Sequence, residues 1–195
     1  MKGKLIVVSG PSGSGKTTIA RKMMELFPSL EFSVSATTRP KRPGEVDGCD
    51  YYFLSKSAFL QRVERGEFVE WEELFGNYYG TLQTEVAKNL DKGKHLLFDV
   101  DVKGALSIKR RYPEAFLVFV RPPSLDVLRQ RLRDRHTEDE AALQRRFNRV
   151  AMELDMSGNF DCQVLNDNLK EAVAEVRECV KNHIHIPGEE LNQCR

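Results

Sequence analysis

At 195 residues, 41% of them apolar, the chain holds roughly 80 apolar side chains, enough for a sizeable core without disulfide or metal staples, which excludes disorder as the main state. The length fits one ordinary domain, or one core carrying short inserted lobes, better than two full-sized domains. Thirty Lys and Arg against 29 Asp and Glu leave a net charge of +1, which points to neither nucleic acid nor a membrane as partner.

In chain order, Met1-Lys2-Gly3-Lys4 leads into an apolar run ending at Ser9, too brief for a signal peptide or a membrane span. A soluble, cytoplasmic protein is the expectation. Leu5-Ile6-Val7-Val8 is continuously apolar and largely β-branched, which predicts a strand buried on both faces of a parallel sheet. Directly after it stands Gly10-Pro11-Ser12-Gly13-Ser14-Gly15-Lys16-Thr17, a full match to G-x-x-x-x-G-K-[ST] between a strand and a helical pattern. Its glycines let the backbone curl so that successive N–H groups and the positive end of the next helix face a polyphosphate. Lys16 supplies a point charge to the β- and γ-phosphates, and the Thr17 hydroxyl is a Mg2+ ligand candidate.

Helical patterns follow at Ile19–Phe27, Gly104–Arg111, Leu125–Arg133, Ala141–Met156 and Leu169–His183, and apolar strand-like runs at Leu96–Phe98, Ala115–Val120 and Cys162–Leu165. Strands alternating with helices predict an α/β fold with a parallel sheet covered by helices. Residues 31 to 90 break that rhythm with Gly, Pro, aromatic and acidic residues, and read as an inserted lobe with a small mixed sheet and one helix near Ser57–Glu64. A second insertion is suggested between Arg121 and Arg149, where eight arginines and no lysine occur. The tail from Ile184 reads as poorly ordered, since Pro187-Gly188 ends any helix. The four cysteines, Cys49, Cys162, Cys179 and Cys194, show no C-x-x-C or zinc-like spacing and are expected to be free thiols. His183 and His185 read as surface residues. Trp71, Tyr52 and Tyr78 are expected to pack rather than bind.

A phosphate loop alone leaves motors, GTPases and small-molecule kinases open. Asp101-Val102-Lys103-Gly104 mimics the GTPase D-x-x-G switch, yet no N-K-x-D guanine-reading sequence occurs, which argues against that class. The stretch from Ser33-Val34-Ser35-Ala36-Thr37-Thr38-Arg39 through Arg42-Pro43-Gly44-Glu45-Val46-Asp47-Gly48-Cys49-Asp50-Tyr51-Tyr52-Phe53, with Val69-Glu70-Trp71 and Gly76-Asn77-Tyr78-Tyr79-Gly80-Thr81, closely resembles guanylate kinases. The resemblance extends from Lys4 to about Val180. It implies a P-loop parallel-sheet core flanked by helices (1–34, 87–125 and 149–184), an inserted mixed α/β GMP-binding lobe (35–86), a helical lid (126–148) and a tail (185–195). The implied reaction is Mg2+-dependent transfer of the ATP γ-phosphoryl group to GMP, giving ADP and GDP, within purine nucleotide metabolism. ATP and GMP are then the partners, with Mg2+ as cofactor.

The resemblance also assigns residues. Gly10, Pro11, Ser12, Gly13, Ser14, Gly15, Lys16, Thr17 and Thr18 would bind ATP, with Asn166 near the adenine, and Asp99 would act on Mg2+ through water. Arg39, Arg42, Tyr51 and Tyr79 match positions holding the GMP phosphate, a dianion suited to guanidinium forks and phenolic hydroxyls. Ser35, Glu70, Thr81 and Asp101 match positions holding guanine. A carboxylate at Glu70 can accept from guanine N1–H and its 2-amino group; adenine would leave that charge unpaired, and such mismatches discriminate by about 10^4-fold. Arg131, Arg135 and Arg146 match lid arginines that, with Lys16 and Arg39, make up the implied catalytic set; positioned cations are most of what a protein can offer phosphoryl transfer. No general base is needed, because the attacking oxygen belongs to an anionic phosphate.

Three positions depart from the family pattern: Asp134 and His136 flank Arg135 where glycines are usual, Lys103 stands where glutamine is common, and Leu82 follows Gly80-Thr81 where a small residue or proline is frequent. The alternative reading is an inactive, guanylate-kinase-like interaction module, which would be expected to have an eroded phosphate loop. A third is a P-loop kinase for another small phosphate acceptor.

Overall fold

The computed structural model describes residues 3–133 and 140–184. The chain starts with β1 (Leu5–Ser9), buried at every position, and turns through the glycine-rich loop into α1 (Lys16–Leu26). Strand β2 (Leu30–Phe32) follows, then β3 (Ala36–Thr37), β4 (Tyr52–Phe53), α2 (Lys56–Glu64), the hairpin of β5 (Phe68–Leu74) and β6 (Asn77–Leu82), and α3 (Gln83–Asp91). The remainder alternates: β7 (His95–Asp99), α4 (Val102–Arg111), β8 (Phe116–Arg121), α5 (Leu125–Arg133), α6 (Glu140–Asp155), a 3-10 turn at Met156–Asn159, β9 (Cys162–Leu165) and α7 (Leu169–His183).

The large sheet has strand order β2-β7-β1-β8-β9 and is parallel at every pairing. Both of its faces are covered, and β1 shows why a strand without polar alternation suits it. Ile6 and Val8 point into one apolar layer with Ile19 and Met23 of α1 and Val176 and Val180 of α7. Leu5 and Val7 point into the other, with Val86 of α3 and Val102, Ala105 and Ile108 of α4. The smaller sheet, β4-β3-β6-β5, mixes parallel and antiparallel pairs. It has its own core, in which Phe59 of α2 stacks on Phe68 at 4.4 Å and on Tyr78 at 5.5 Å between ring centres.

The α/β architecture with its parallel sheet and inserted mixed lobe agrees with the reading of the sequence. Several local expectations are corrected. The edge strand β2 pairs Leu30–Phe32 with His95–Leu97 in the parallel sheet, so its last two residues lie outside the insertion that composition suggests from residue 31 and within the 1–34 core segment that the resemblance implies; three residues are too few to show a period. Helix α3 is a second helix beyond the one expected near Ser57–Glu64, and its N-cap, Leu82, offers no side-chain acceptor to announce it. Cys162 and Cys179 are not free thiols but a disulfide, because α7 packs back over β9; Cys49 is free and exposed, and Cys194 lies outside the described residues. His183 is not simply a surface residue: its ring stacks on Phe116 at 4.7 Å and its Nε2 is buried, while His185 lies outside the described residues. Trp71, expected to pack, is 46% exposed and meets Tyr78 at a tilt; with Glu73 it lies on the solvent-facing side of β5.

Candidate active site

Beyond the C-terminal ends of β1 and β7, where ligands bind in open parallel sheets, lies a cleft of about 960 Å3. One end is the glycine loop. Gly10, Gly13 and Gly15 have φ of 141°, 87° and 97°, and two of them are also crowded. A Cβ on Gly10 would stand 2.3 Å from the Val120 carbonyl oxygen, and one on Gly15 would stand 2.2 Å from Asn166 Nδ2. Gly15, in the left-handed region, is the N-cap of α1 and supplies no side-chain cap, so the first N–H groups of the helix remain for an anion. Lys16 Nζ donates to the Pro11 carbonyl at 3.0 Å, folding back over the loop. The Thr17 hydroxyl donates to Asp99 Oδ2 at 2.6 Å, which puts a hydroxyl and a carboxylate side by side at the end of β7. These hard oxygen donors fit a small divalent cation, and among the described residues no cluster of three or more His, Cys, Asp or Glu forms a self-sufficient metal cage. That pattern suits an ion held mainly by ligand phosphates and water.

Asn166 supports this loop from behind. Its side-chain amide donates to the Ser14 carbonyl at 2.7 Å, and its own N–H donates to Arg121 O at 2.8 Å. Arg131 donates to the Asn166 carbonyl at 3.3 Å. Thr18 is exposed on α1. Arg135 lies outside the described residues, as does the side chain of Arg146.

The second part of the cleft is basic and phenolic. Arg39 presents both ends of its guanidinium to Glu45, at 3.0 and 2.7 Å, and Glu45 also accepts from the Arg42 backbone at 2.7 Å. The pair holds Arg39 above its ordinary value, mainly through the Glu45 hydrogen bond, and holds Glu45 below the carboxylate range. The guanidinium lies 5.3 Å over the Tyr51 ring, and Tyr51 meets Tyr79 edge-on at 6.2 Å. Burial, with the Asp99 charge behind it, pushes the Tyr51 phenol up to about 12, so it remains a donor. Arg42 is exposed at the mouth. Arg39, Arg42, Tyr51, Tyr79, Ser35 and Glu70 all line the same cleft as Lys16 and Thr17.

The third part is acidic. The Thr81 hydroxyl, fully buried on β6, donates to Glu70 Oε1 at 2.6 Å across the hairpin. The register of β5 shifts between Phe68 and Glu70; such a bulge re-aims side chains, so that Phe68 enters the lobe core while Glu70 faces the cleft. Burial raises Glu70 to about 7, against the Thr81 bonds that lower it. Asp101 caps α4, accepting from the Gly104 N–H at 2.8 Å, and burial together with its hydrogen bond to Glu72 raises it to about 7.

Sequence reasoning missed one group here. Arg149 of α6 forks onto Glu72 at 3.1 and 3.0 Å, donates from Nε to Glu153 at 2.6 Å, and stands 3.7 Å from Asp101. Lys103, the departure from the family pattern, reaches Glu72 at 3.2 Å. Nothing in the arginine-rich segment distinguishes Arg149 from its neighbours; only the approach of α6 to β5 does.

A glycine loop of the G-x-x-x-x-G-K-[ST] pattern on a parallel sheet, sharing one cleft with a basic, phenolic cluster and a carboxylate pair, defines a P-loop protein. Comparison with known proteins specifies which. The guanylate kinase family profile matches residues 2–183. A guanylate kinase of Chlorobium luteolum is 49% identical over 183 residues, covering 93% of each chain. One from Thermotoga maritima is 46% identical over 182 residues, covering 93% of this chain and 88% of its own. The crystal structure of guanylate kinase from Anaplasma phagocytophilum, 29% identical, superposes with a TM-score of 0.77 over 95% of this chain and 88% of that one. The chain belongs to the guanylate kinase family.

Proposed function

We propose that this protein transfers the γ-phosphoryl group of ATP to GMP, giving ADP and GDP. The observation that carries the reading is the single cleft in which Lys16 and Thr17, then Arg39 and Tyr51, then Glu70 and Asp101 follow one another. A polyphosphate, a monophosphate and a guanine need that succession of charges.

In this reading the glycine loop, with its free helix N-terminus, holds the ATP phosphates, and Lys16 exchanges the Pro11 carbonyl for them. Arg39, Arg42, Tyr51 and Tyr79 hold the GMP phosphate. Glu45 keeps the Arg39 fork in the cleft until the dianion arrives. Glu70 and Asp101, with Ser35 and Thr81, hold guanine, and the ionised carboxylate accepts from N1–H and the 2-amino group. Asn166 contributes by bracing the loop through Ser14, a role its buried amide supports better than contact with adenine. Thr17, with Asp99 through water, would hold Mg2+, which supplies charge neutralisation between the β- and γ-phosphates. Arg131, Arg135 and Arg146 would be the lid cations that meet the charge spread over the transferring group. The segment 35–86 would act as the GMP lobe and 126–148 as the lid, closing to exclude water, the competing acceptor. Among the described residues no helix is long and apolar enough to cross a membrane; a cytoplasmic place in purine nucleotide metabolism follows from the same reading.

The test is Mg2+-dependent ADP formation from ATP with GMP, AMP, UMP or water as acceptor, beside a Lys16→Ala control. Turnover with GMP alone, abolished in the control, is expected. Failure with every acceptor despite measurable GMP binding would replace this reading with that of an interaction module.

A further inference from the structure

Arg149 brings three parts of the molecule to one guanidinium. Glu72 belongs to β5, two residues beyond Glu70 and on the same side of the strand. Asp101 belongs to the turn between β7 and α4. Glu153 lies one helical turn further along α6, only 4% exposed. The Arg149 side chain is itself 17% exposed and lies against the cleft, with Glu70 and Asp101 among its neighbours there. Its bonds use the fork in full: two parallel N–H donors to one carboxylate and Nε to another. A lysine could satisfy one of these carboxylates but not hold two in fixed relation.

The number of negative groups makes this arrangement consequential. Glu70, Asp101 and Glu153 line one cleft with Arg149, Glu72 lies against the Arg149 fork, and among the described residues the ion pairs to Glu72, Asp101 and Glu153 come from Arg149 and Lys103. Lys103 is half exposed and, among the described residues, pairs with Glu72, whereas Arg149 reaches Glu72, Asp101 and Glu153 together. Without it, Glu72 and Asp101 would lose the cation that stands between them, at 3.0 Å from one carboxylate and 3.7 Å from the other. Glu70 is carried by the same strand as Glu72, and Asp101 by the turn facing it.

We propose that Arg149 is a positioning residue for guanine recognition, holding the β5 segment that carries Glu70 and the turn that carries Asp101 at a fixed separation and tying both to α6. The inference rests on the reading of Glu70 and Asp101 as the guanine-facing carboxylates. It gives α6, whose first half falls in the proposed lid, a direct connection to the GMP lobe. Specificity for the base then depends on a side chain that does not touch it.

The experiment compares Arg149→Gln, Arg149→Lys, Glu72→Ala and the Glu72→Ala/Arg149→Gln double variant with the unaltered enzyme, using GMP and inosine monophosphate, which lacks the 2-amino group, as acceptors. Arg149→Gln should raise KM for GMP by about tenfold or more while kcat and the KM for ATP change far less. The preference for GMP over inosine monophosphate should shrink, Arg149→Lys should recover part of the loss, and the double variant should lose much less than the product of the single losses. An unchanged GMP KM, a parallel rise for ATP and GMP with base preference intact, or strict additivity of Glu72→Ala and Arg149→Gln overturns the proposal. If Arg149→Gln does not fold, as thermal unfolding would reveal, Arg149→Lys supplies the same readings. Glu70→Gln is run beside them: if it leaves base preference untouched, the guanine reading of the site fails, whereas a strong Glu70→Gln effect with silent Arg149 variants defeats only this inference.

Discussion

The Thr81 hydroxyl donates to Glu70 Oε1 at 2.6 Å, and Gly104 on α4 leaves space for the other carboxylate oxygen, since a Cβ there would stand 2.9 Å from Oε2. The carboxylate is thereby held between a strand and the first turn of a helix. Gly104→Ala tests the arrangement. In an ordinary helix interior alanine is favoured over glycine by about 1 kcal/mol; here the methyl group must push aside the end of the Glu70 side chain. Thermal unfolding should therefore change little, while KM for GMP rises about tenfold or more and KM for ATP stays nearly constant. Equal GMP kinetics in the two proteins would show that the Glu70 position is immaterial to binding.

Protonation of Glu70 gives a second expectation. Its folded value, about 7, lies above the ordinary carboxylate value, so the folded state binds the proton more tightly than the unfolded chain. Its contribution to stability is present at acid pH and falls away as pH rises through 7, by about 3 kcal/mol in all. Guanine binding runs the other way, because N1–H and the 2-amino group favour the charged carboxylate. GMP affinity should decline as pH falls below about 7, and binding near that pH should release a proton. Calorimetry in buffers of different ionisation enthalpy measures this, and Glu70→Gln should remove the part of the release that this residue contributes.

Asn166 fills the space that a side chain on Gly15 would need and satisfies the Ser14 carbonyl. Asn166→Ala leaves that buried acceptor unpaired, a loss of about 1–3 kcal/mol in unfolding free energy. ATP binding should weaken together with stability, since the loop loses its brace, while GMP binding in the absence of ATP should hold. Asn166→Asp, which faces a carbonyl with a carboxylate, should be worse than alanine. An Asn166→Ala enzyme with normal stability would refute the bracing role.

Glu45 and Arg39 form a partly buried bidentate pair whose side chains are 18% and 11% exposed. Glu45→Gln keeps the shape but loses the charge, and should cost about 1–3 kcal/mol of stability at neutral pH. Glu45 is held below the ordinary carboxylate range, so its contribution is complete above that range and disappears as pH falls through the lowered value. The difference in unfolding free energy between the two proteins should therefore narrow in acid. KM for GMP should rise as well, because Arg39 is no longer held over the Tyr51 ring.

Much of the large sheet was legible because its signals are local. A both-face-buried strand needs an apolar run, and a phosphate loop needs glycines at set intervals; Leu5–Val8 and Gly10–Thr17 carry both within thirteen residues. Helices α4, α5 and α7 followed from side-chain period alone. Helix α3 did not, because Leu82 gives no cap. The Cys162–Cys179 bond did not, because it depends on α7 returning over β9.

The chemistry divides along the same line. Residue types at fixed spacing mark the phosphate-loop pattern, since neighbours on one loop keep their relation in any fold; Arg39, Arg42, Tyr51, Tyr79 and Glu70 are spread over different elements and are suggested as a set by the family resemblance alone. From the acidic run Glu67, Glu70, Glu72 and Glu73 no composition argument could choose. The pleat and bulge of β5 turn Glu70 into the cleft and Glu72 onto Arg149 and leave Glu73 exposed. Arg149 lies 77 residues from Glu72, and no pattern along the chain joins them; only tertiary packing brings an α6 arginine between a carboxylate within β5 and one at the start of α4. Long-range electrostatic partners are set by where elements dock, and that is decided by the whole core and not by the residues that meet.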